Sequence, residues 1–268
     1  MLVDVEARVI RNTRLSADYN VIALAAPDIA AATQPGQFVM VKSGRGGDPL
    51  LRRPFSVFEV LRSNTRVEGL SLLSKRIGVT TTILFDAVEG DTISCLGPLG
   101  RPFELVDPPA EAWMVAGGVG LAPFATLGDA LLARRTKTTL FYGARSGAEL
   151  FYLDWFKSRG IRLVLATEDG SVGDHARVTV PLERELGRTH GDVMIYGCGP
   201  EPMLEAVAHV AAKFKTPSQV SVERVMGCGM GGCYSCVIPV RNDHGGARHY
   251  VRSCIAGPVF RGDDIVWD

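Results

Sequence analysis

Up to residue 104 the apolar positions recur in short, loosely alternating runs. "VEARVIRNTRL" (5–15), "NVIALAAP" (20–27), "GQFVMVKS" (36–43), "RRPFSVFEV" (52–60) and "RVEGLSLLSK" (66–75) are β-rich, with Gly, Asn and Asp between them. "VTTTILFDAV" (79–88) reads as a helix, and "GDTISCLGPLG" (90–100) returns to strand and turn. Short strands at regular spacing predict an antiparallel barrel or sandwich. The Pro-rich "LVDPPAEA" (105–112) marks a boundary.

Beyond it the period changes. Buried strands are expected in "AWMVAGG" (112–118), "TTLFYGAR" (138–145), "IRLVLATEDG" (161–170) and "DVMIYGCGP" (192–200). A Gly-rich turn and then a helix are expected in "VGLAPFATLGDALLARR" (119–135), and helices in "AELFYLDWFKSRG" (148–160), "VTVPLERELG" (178–187) and "EPMLEAVAHVAAKF" (201–214). Strands alternating with helices imply a parallel sheet covered on both faces. Ligands of such sheets sit at the carboxyl ends of the strands, where the Gly-rich turns fall. From about 218 the alternation stops, leaving a tail with little core of its own. The pattern predicts β + α/β architecture in three units: 1–104, 105–217 and 218–268.

Charge narrows the function classes. The chain of 268 residues carries 29 Lys plus Arg against 29 Asp plus Glu, a net charge of zero. It offers no broad basic field for nucleic acid and no polybasic membrane anchor. No run reaches the roughly 20 apolar residues that span a bilayer. The opening "MLVDVEARVIRNTRLS" lacks the basic-then-apolar order of a signal peptide. A cytoplasmic protein is expected, in a compartment where clustered cysteines bind metal or do redox work more often than they form disulfides.

Three of the six cysteines lie in "MGCGMGGCYSC" (226–236). The spacing Cys228-x4-Cys233-x2-Cys236, with Cys254 farther on, matches the plant-type [2Fe–2S] pattern. Four thiolates must then converge from one loop, and Gly229, Gly231 and Gly232 permit positive φ and let N–H groups point at sulfur. A zinc site, with His244 or His249 as a substitute ligand, and a structural disulfide are the competing readings of these residues. Cys95 reads as a small buried apolar residue.

Two strand-to-helix turns, "VAGGVGLAP" (115–123) and "YGCGPEPM" (196–203), suit phosphate approach to a helix N-terminus, although glycine also serves such turns for packing alone. In "RRPFS" (52–56), Arg53 suits a phosphate, Phe55 a flat ring and Ser56 a ring nitrogen.

Taken in order, RxxS in a barrel, GGxGxAP opening an α/β unit, GCGP and the cysteine loop resemble the ferredoxin–NADP reductase superfamily. Within it, the whole chain resembles the electron-transfer subunits of class 1B dihydroorotate dehydrogenases. The resemblance implies an FAD-binding barrel, an NAD-binding α/β domain and a small C-terminal [2Fe–2S] module. It implies that Arg53, Pro54, Phe55 and Ser56 meet FAD, Arg53 at the diphosphate and Ser56 near flavin N5. Leu73, Ser74, Lys75, Thr80 and Thr81 would follow along that cofactor. Gly117, Gly118, Gly120 and Pro123 would frame NAD(H), and Cys198, Gly199 and Pro200 would lie by the nicotinamide. Ser56 and Cys198 are the implied catalytic positions. Cys228, Cys233, Cys236 and Cys254 would be the cluster ligands.

The implied activity is electron transfer between NAD(H), FAD, the cluster and a partner FMN subunit that oxidises dihydroorotate, assembled as a heterotetramer. Two positions depart from the family pattern. Gly78-Val79-Thr80-Thr81 lacks the second glycine of Gly-x-Gly-Thr, and Ala256 replaces an aspartate after the fourth cysteine. Arg145 favours and Glu149 disfavours a 2′-phosphate on the nucleotide. The alternatives are the same module in a bifurcating NADH-dependent ferredoxin–NADP oxidoreductase or a hydrogenase, and a zinc-stabilised interaction module.

Overall fold

The structure, a computed structural model, describes residues 2–43, 49–241 and 247–267. The N-terminal strands are β1 (Val3–Arg14), β2 (Tyr19–Ala25), β3 (Phe38–Ser43), β4 (Arg53–Ser56), β5 (Glu59–Ser63), β6 (Arg66–Lys75) and β7 (Thr92–Leu99). They form one curled sheet in the order β4-β3-β7-β1-β2-β6-β5, antiparallel throughout. The stretch 52–60, read as one strand, is two. Val57 donates its N–H to the Gln37 carbonyl at 3.1 Å, and Phe58 donates to the Ser71 carbonyl at 2.9 Å. The chain thus steps from one edge of the sheet to the other between β4 and β5, which curls the sheet toward closure and protects its edges.

Inside the curl, Val9, Ile22, Leu24, Val39, Val41, Leu70 and Leu72 pack together with Cys95. Burial pushes the Cys95 thiol up to about 12, so it behaves as the small apolar residue expected. Helix α1 (Pro27–Ala32) adds Ile29, and α2 (Val79–Asp86) adds Leu84. Asn12 donates to the carbonyls of Leu84 and Ala87, both at 2.9 Å, satisfying orphan acceptors at the end of α2. That anchorage leaves the first turn of α2 facing outward.

The second sheet contains β8 (Glu111–Gly117), β9 (Thr138–Ala144), β10 (Arg162–Thr167), β11 (Asp174–His175), β12 (Val193–Cys198) and β13 (Ser218–Ser221). Its order is β11-β10-β9-β8-β12-β13-β16, parallel except where β16 (Val259–Arg261) joins antiparallel to β13. Helices α3 (Pro123–Ala133), α4 (Leu153–Ser158), α5 (Thr179–Leu186) and α6 (Glu201–Lys213) cover it. The strand order reverses between β8 and β12, so the crevice at their carboxyl ends is the topological switch point. The sequence pattern ends the alternation near 218, yet β13 extends the sheet by pairing with β12. Its four residues are all buried, and so short a strand carries no period to detect.

One helical expectation fails. Of residues 148–160, only Leu153–Ser158 forms an α-helix, after a short 3-10 turn at Gly147–Glu149. Leu150 is extended and Tyr152 takes φ 60°, because this segment bridges to the barrel. The Phe151 ring lies 4.8 Å from that of Tyr19, and Tyr152 meets Phe58 edge-on at 4.7 Å. Val21, Phe58 and Leu73 of the barrel share one core with Leu121, Tyr142 and Phe156 of the α/β unit. Burying each such side chain contributes about 1.5–3 kcal/mol. The half-exposed Lys75–Glu149 ion pair across the same seam contributes no more than about 1 kcal/mol. Apolar packing therefore holds the two units in register.

The tail packs on both. The hairpin β14 (Val237–Arg241) and β15 (Arg248–Arg252) leads into α7 (Ser253–Ala256) and then β16. Ile238 and Val240 pack with Leu204 and Val220 of the α/β unit. Cys236 and Cys254 pack with Phe38, Met40, Leu96 and Leu99 of the barrel.

Candidate functional site

A cleft of about 750 Å3 opens between the barrel and the tail. Arg53, Pro54, Phe55 and Ser56 of β4 form one wall, and Leu73, Ser74 and Lys75 of β6 another. Gly78, Thr80 and Thr81 at the start of α2 close one end, and Cys198 lies at the inner end. The volume suits a large organic ligand. Ser74 Oγ is buried without a hydrogen-bond partner, a group left for a ligand to satisfy. Arg53 extends at the rim, its Nη1 donating to the Leu51 and Arg52 carbonyls, both at 3.1 Å. The Thr81 hydroxyl is spent locally, accepting from the N–H groups of Ile77 and Gly78 at 2.9 Å. The N–H groups of the first turn of α2 have no intrahelical partner, and this end lines the cleft.

A second cleft, of about 450 Å3, lies at the switch point and is lined by Gly117, Gly118, Arg145, Glu149, Arg177, Pro200 and Met203 among others. Gly118 takes φ 56°, and a Cβ there would meet nothing within 4 Å, so its backbone is open to a ligand. Gly120 differs. A Cβ on it would lie 2.2 Å from the Cys198 carbonyl oxygen, so this glycine lets the turn before α3 pack on the end of β12. Gly120, Pro123 and Gly199 line neither cleft. Pro123 is buried at the start of α3, and Gly199 packs against Met203. Lys75 pairs with Glu149 at 3.5 Å, and Tyr19 donates to the same carboxylate at 3.4 Å. Its hydrogen bond with Tyr19 is the main cause holding the Lys75 ammonium above its ordinary pKa.

Lys75, Val119 and Glu223 line both clefts, so the two adjoin. Glu223 is the residue that sequence reasoning missed. Burial raises its carboxyl above the ordinary glutamate value, and its charge in turn acts on Cys198. The Cys198 thiol is pushed strongly upward by burial and stays protonated at neutral pH. It is a neutral group on the cleft wall rather than a nucleophile. No motif surrounds Glu223. The only signal was an acidic residue inside the apolar run "SQVSVERV".

The four expected cluster cysteines lie together as two pairs. Cys228 acts on the Cys233 thiol beside it, and Cys236 packs in one cluster with Cys254 and acts on its thiol. Met230 and Gly232 donate their N–H groups to Cys228 Sγ at 3.4 and 3.3 Å. Gly229 and Gly231 take φ 71° and 81°, as expected, whereas Gly232 does not need positive φ. The Ser235 hydroxyl and N–H, with help from Cys228, lower the exposed Cys233 thiol to about 6. Burial, with Cys236 beside it, raises Cys254 to about 12. All six cysteines are free, which removes the disulfide reading. Among the described residues no three of His, Cys, Asp or Glu converge on a single-ion site. Four thiols in two pairs fit two irons better than one tetrahedral zinc. His249 stands on β15, and His244 lies outside the described residues. Phe38 and Met226 pack against Cys236 and Cys254 and also line the larger cleft.

A curled antiparallel sheet and a parallel α/β sheet with adjoining clefts, plus a cysteine module, define a pyridine-nucleotide reductase of the ferredoxin–NADP reductase type with an iron–sulfur domain. Similar chains include the "Dihydroorotate dehydrogenase B (NAD(+)), electron transfer subunit" of Desulforamulus reducens, 39% identical over 91% of this chain and 90% of the relative. That of Geobacillus kaustophilus is 38% identical over 87% of each. The chain belongs to the family of dihydroorotate dehydrogenase B electron transfer subunits, and is an oxidoreductase subunit. Residues 223–266 match the iron-sulfur cluster binding domain of dihydroorotate dehydrogenase B, and 114–209 the oxidoreductase NAD-binding domain. Among solved structures, the NADH-dependent reduced ferredoxin-NADP oxidoreductase of flavin-based electron bifurcation matches with a TM-score of 0.84, at 28% identity over 98% of this chain and 91% of that one. A ferredoxin NADP+ reductase of Neisseria gonorrhoeae with bound FAD and NADP shares the fold alone, with a TM-score of 0.64 at 20% identity over 79% of this chain and 91% of that one. No helix among the described residues is long and apolar enough to cross a membrane.

Proposed function

We propose that this chain carries electrons between NAD(H) and a partner catalytic subunit that holds FMN and oxidises dihydroorotate to orotate for pyrimidine biosynthesis. FAD occupies the larger cleft, NAD(H) the smaller, and the cysteine pairs hold a [2Fe–2S] cluster. The observation that carries this reading is the continuity of the three sites: Lys75, Val119 and Glu223 join the clefts, and Phe38 and Met226 join the larger cleft to the cysteines. When bound, FAD exchanges a hydride with the nicotinamide and single electrons with the cluster, which is the chemistry that these cofactors bring.

The chain's residues bind and orient. Arg53 and the first turn of α2 take the FAD diphosphate, and Thr80 lies along that end of the cleft. Ser74 Oγ and Ser56 offer hydroxyls to the ring system, and Phe55 packs on it. Gly117 and Gly118 let the nucleotide approach the switch point, with Pro200 and the neutral Cys198 beside the nicotinamide. Gly120, Gly199 and Pro123 act one step back, setting the turns that carry these groups. The NAD(H) assignment follows the family name, since Arg145, Arg177 and the Lys75-paired Glu149 all line this cleft. Dihydroorotate oxidation belongs to the partner in this reading. Two copies of each subunit in a cytoplasmic heterotetramer complete the proposal.

A visible spectrum and metal analysis of anaerobically purified protein test the cofactors. Flavin and iron are expected, and zinc without either would overturn the reading. Co-purification from the native host tests the partner. An FMN-carrying dihydroorotate-oxidising subunit is expected, and a larger glutamate-synthase-like flavoprotein in its place would refute the assignment.

A further inference from the structure

We propose that Arg252 is a positioning residue of the cysteine loop: it ties the loop to the element bearing Cys254, and its charge raises the reduction potential of the cluster held there. This rests on the cluster reading above. Arg252 ends β15 and precedes α7, which carries Cys254. Its Nη1 donates to the Gly231 carbonyl at 2.8 Å. Its guanidinium lies 4.8 Å from the centroid of the Tyr234 ring. One planar side chain thus spans two points of a loop that holds three of the four cysteines.

Both points need holding. Tyr234, between Cys233 and Cys236, takes φ 60°, a left-handed conformation that a non-glycine residue keeps only when its surroundings impose it. The ring is 62% exposed, so burial does not impose it, and the Arg252 guanidinium over the ring is a contact that can hold it. Gly231 takes φ 81°, and a Cβ there would press on Ile255 of α7 at 2.9 Å. Its carbonyl accepts from Arg252, so this peptide is held from the element that bears Cys254. Among the described residues no carboxylate pairs with Arg252. Among the described residues its positive charge is thus unpaired, two positions before Cys254 and bonded to the loop between Cys228 and Cys233. Adding an electron to a cluster makes it more negative, and a fixed cation nearby favours that form.

The test uses the anaerobically purified chain and its Arg252→Gln and Arg252→Lys variants. Iron per chain, the electron paramagnetic resonance spectrum of the reduced cluster and its midpoint potential are measured. Absence of iron in the parent protein would refute the cluster reading itself, separately from this proposal. With iron present, Arg252→Gln is expected to make cluster reduction about tenfold less favourable, a potential about 59 mV more negative for one electron. Arg252→Lys, which keeps the charge, should recover most of that shift. Iron lost from Arg252→Gln but kept in Arg252→Lys also supports the tie. The parental potential in an iron-replete Arg252→Gln, equal shifts in both variants, or cluster loss from both overturns it.

Discussion

Gly120→Ala separates a glycine needed for packing from one needed for ligand approach. The added methyl would lie 2.2 Å from the Cys198 carbonyl oxygen, 2.5 Å from its carbon and 2.6 Å from the Gly199 nitrogen. All three are backbone atoms of the turn after β12, so no side chain can rotate away. Forced overpacking of this kind costs about 1–3 kcal/mol. For a chain of this size, each kcal/mol lowers the melting temperature by about 2–4 °C, so a fall of about 2–12 °C is expected. Relief by moving the turn would displace Cys198 and Pro200, and NADH affinity should weaken together with stability. Gly118→Ala is the control. Its methyl meets no neighbour, but φ 56° costs an alanine about 1–2 kcal/mol. Its main effect should be on nucleotide affinity, because the methyl enters the cleft. Differential scanning fluorimetry and fluorescence titration with NADH read both. A Gly120→Ala protein that melts within about 1 °C of the parent would refute the packing role.

Cys233→Ser should leave NADH reduction of the bound flavin largely intact while abolishing electron delivery to the partner; stopped-flow absorbance with and without the partner measures both, and undiminished delivery would contradict the cluster's role. Arg53→Ala removes a charged hydrogen bond worth about 1.5–3 kcal/mol, so flavin should bind about 10- to 100-fold more weakly, read as flavin absorbance per chain; full retention counts against Arg53 as a diphosphate ligand. Glu223→Gln tests the buried carboxyl. The folded-state pKa is raised by burial, so the native state holds the proton above the free glutamate value of about 4.3. Between that value and the raised one, stability falls as pH rises, and above it the full cost of the buried charge is present. Thermal melts across pH should therefore show Glu223→Gln equal to the parent in acid and more stable above the window; parallel curves would remove Glu223 as a titrating group.

The β-rich opening, the strand–helix alternation and the cysteine spacing could all be read from the chain, because each rests on local period or ligand count. The turn at Gly118 falls at a strand end, where open sheets place ligands, whereas Arg53 and Ser56 lie in a barrel strand that only the family resemblance singled out. Residues 148–152 carry helix-forming residue types, but the structure spends Phe151 and Tyr152 on barrel contacts, and tertiary packing overrode propensity. Gly120 and Gly118 belong to one motif and differ only in what lies opposite them, the Cys198 carbonyl or open space. Glu223 had no motif, since its character comes from two clefts meeting and withdrawing water from one carboxylate. The reach from Arg252 to Gly231 and Tyr234 likewise spans separate segments that adjoin only once the tail has folded against barrel and sheet. Residue type and spacing specify what a group can do. Burial, charge neighbours and contact between distant segments arise from folding, and they decided which of these groups act together.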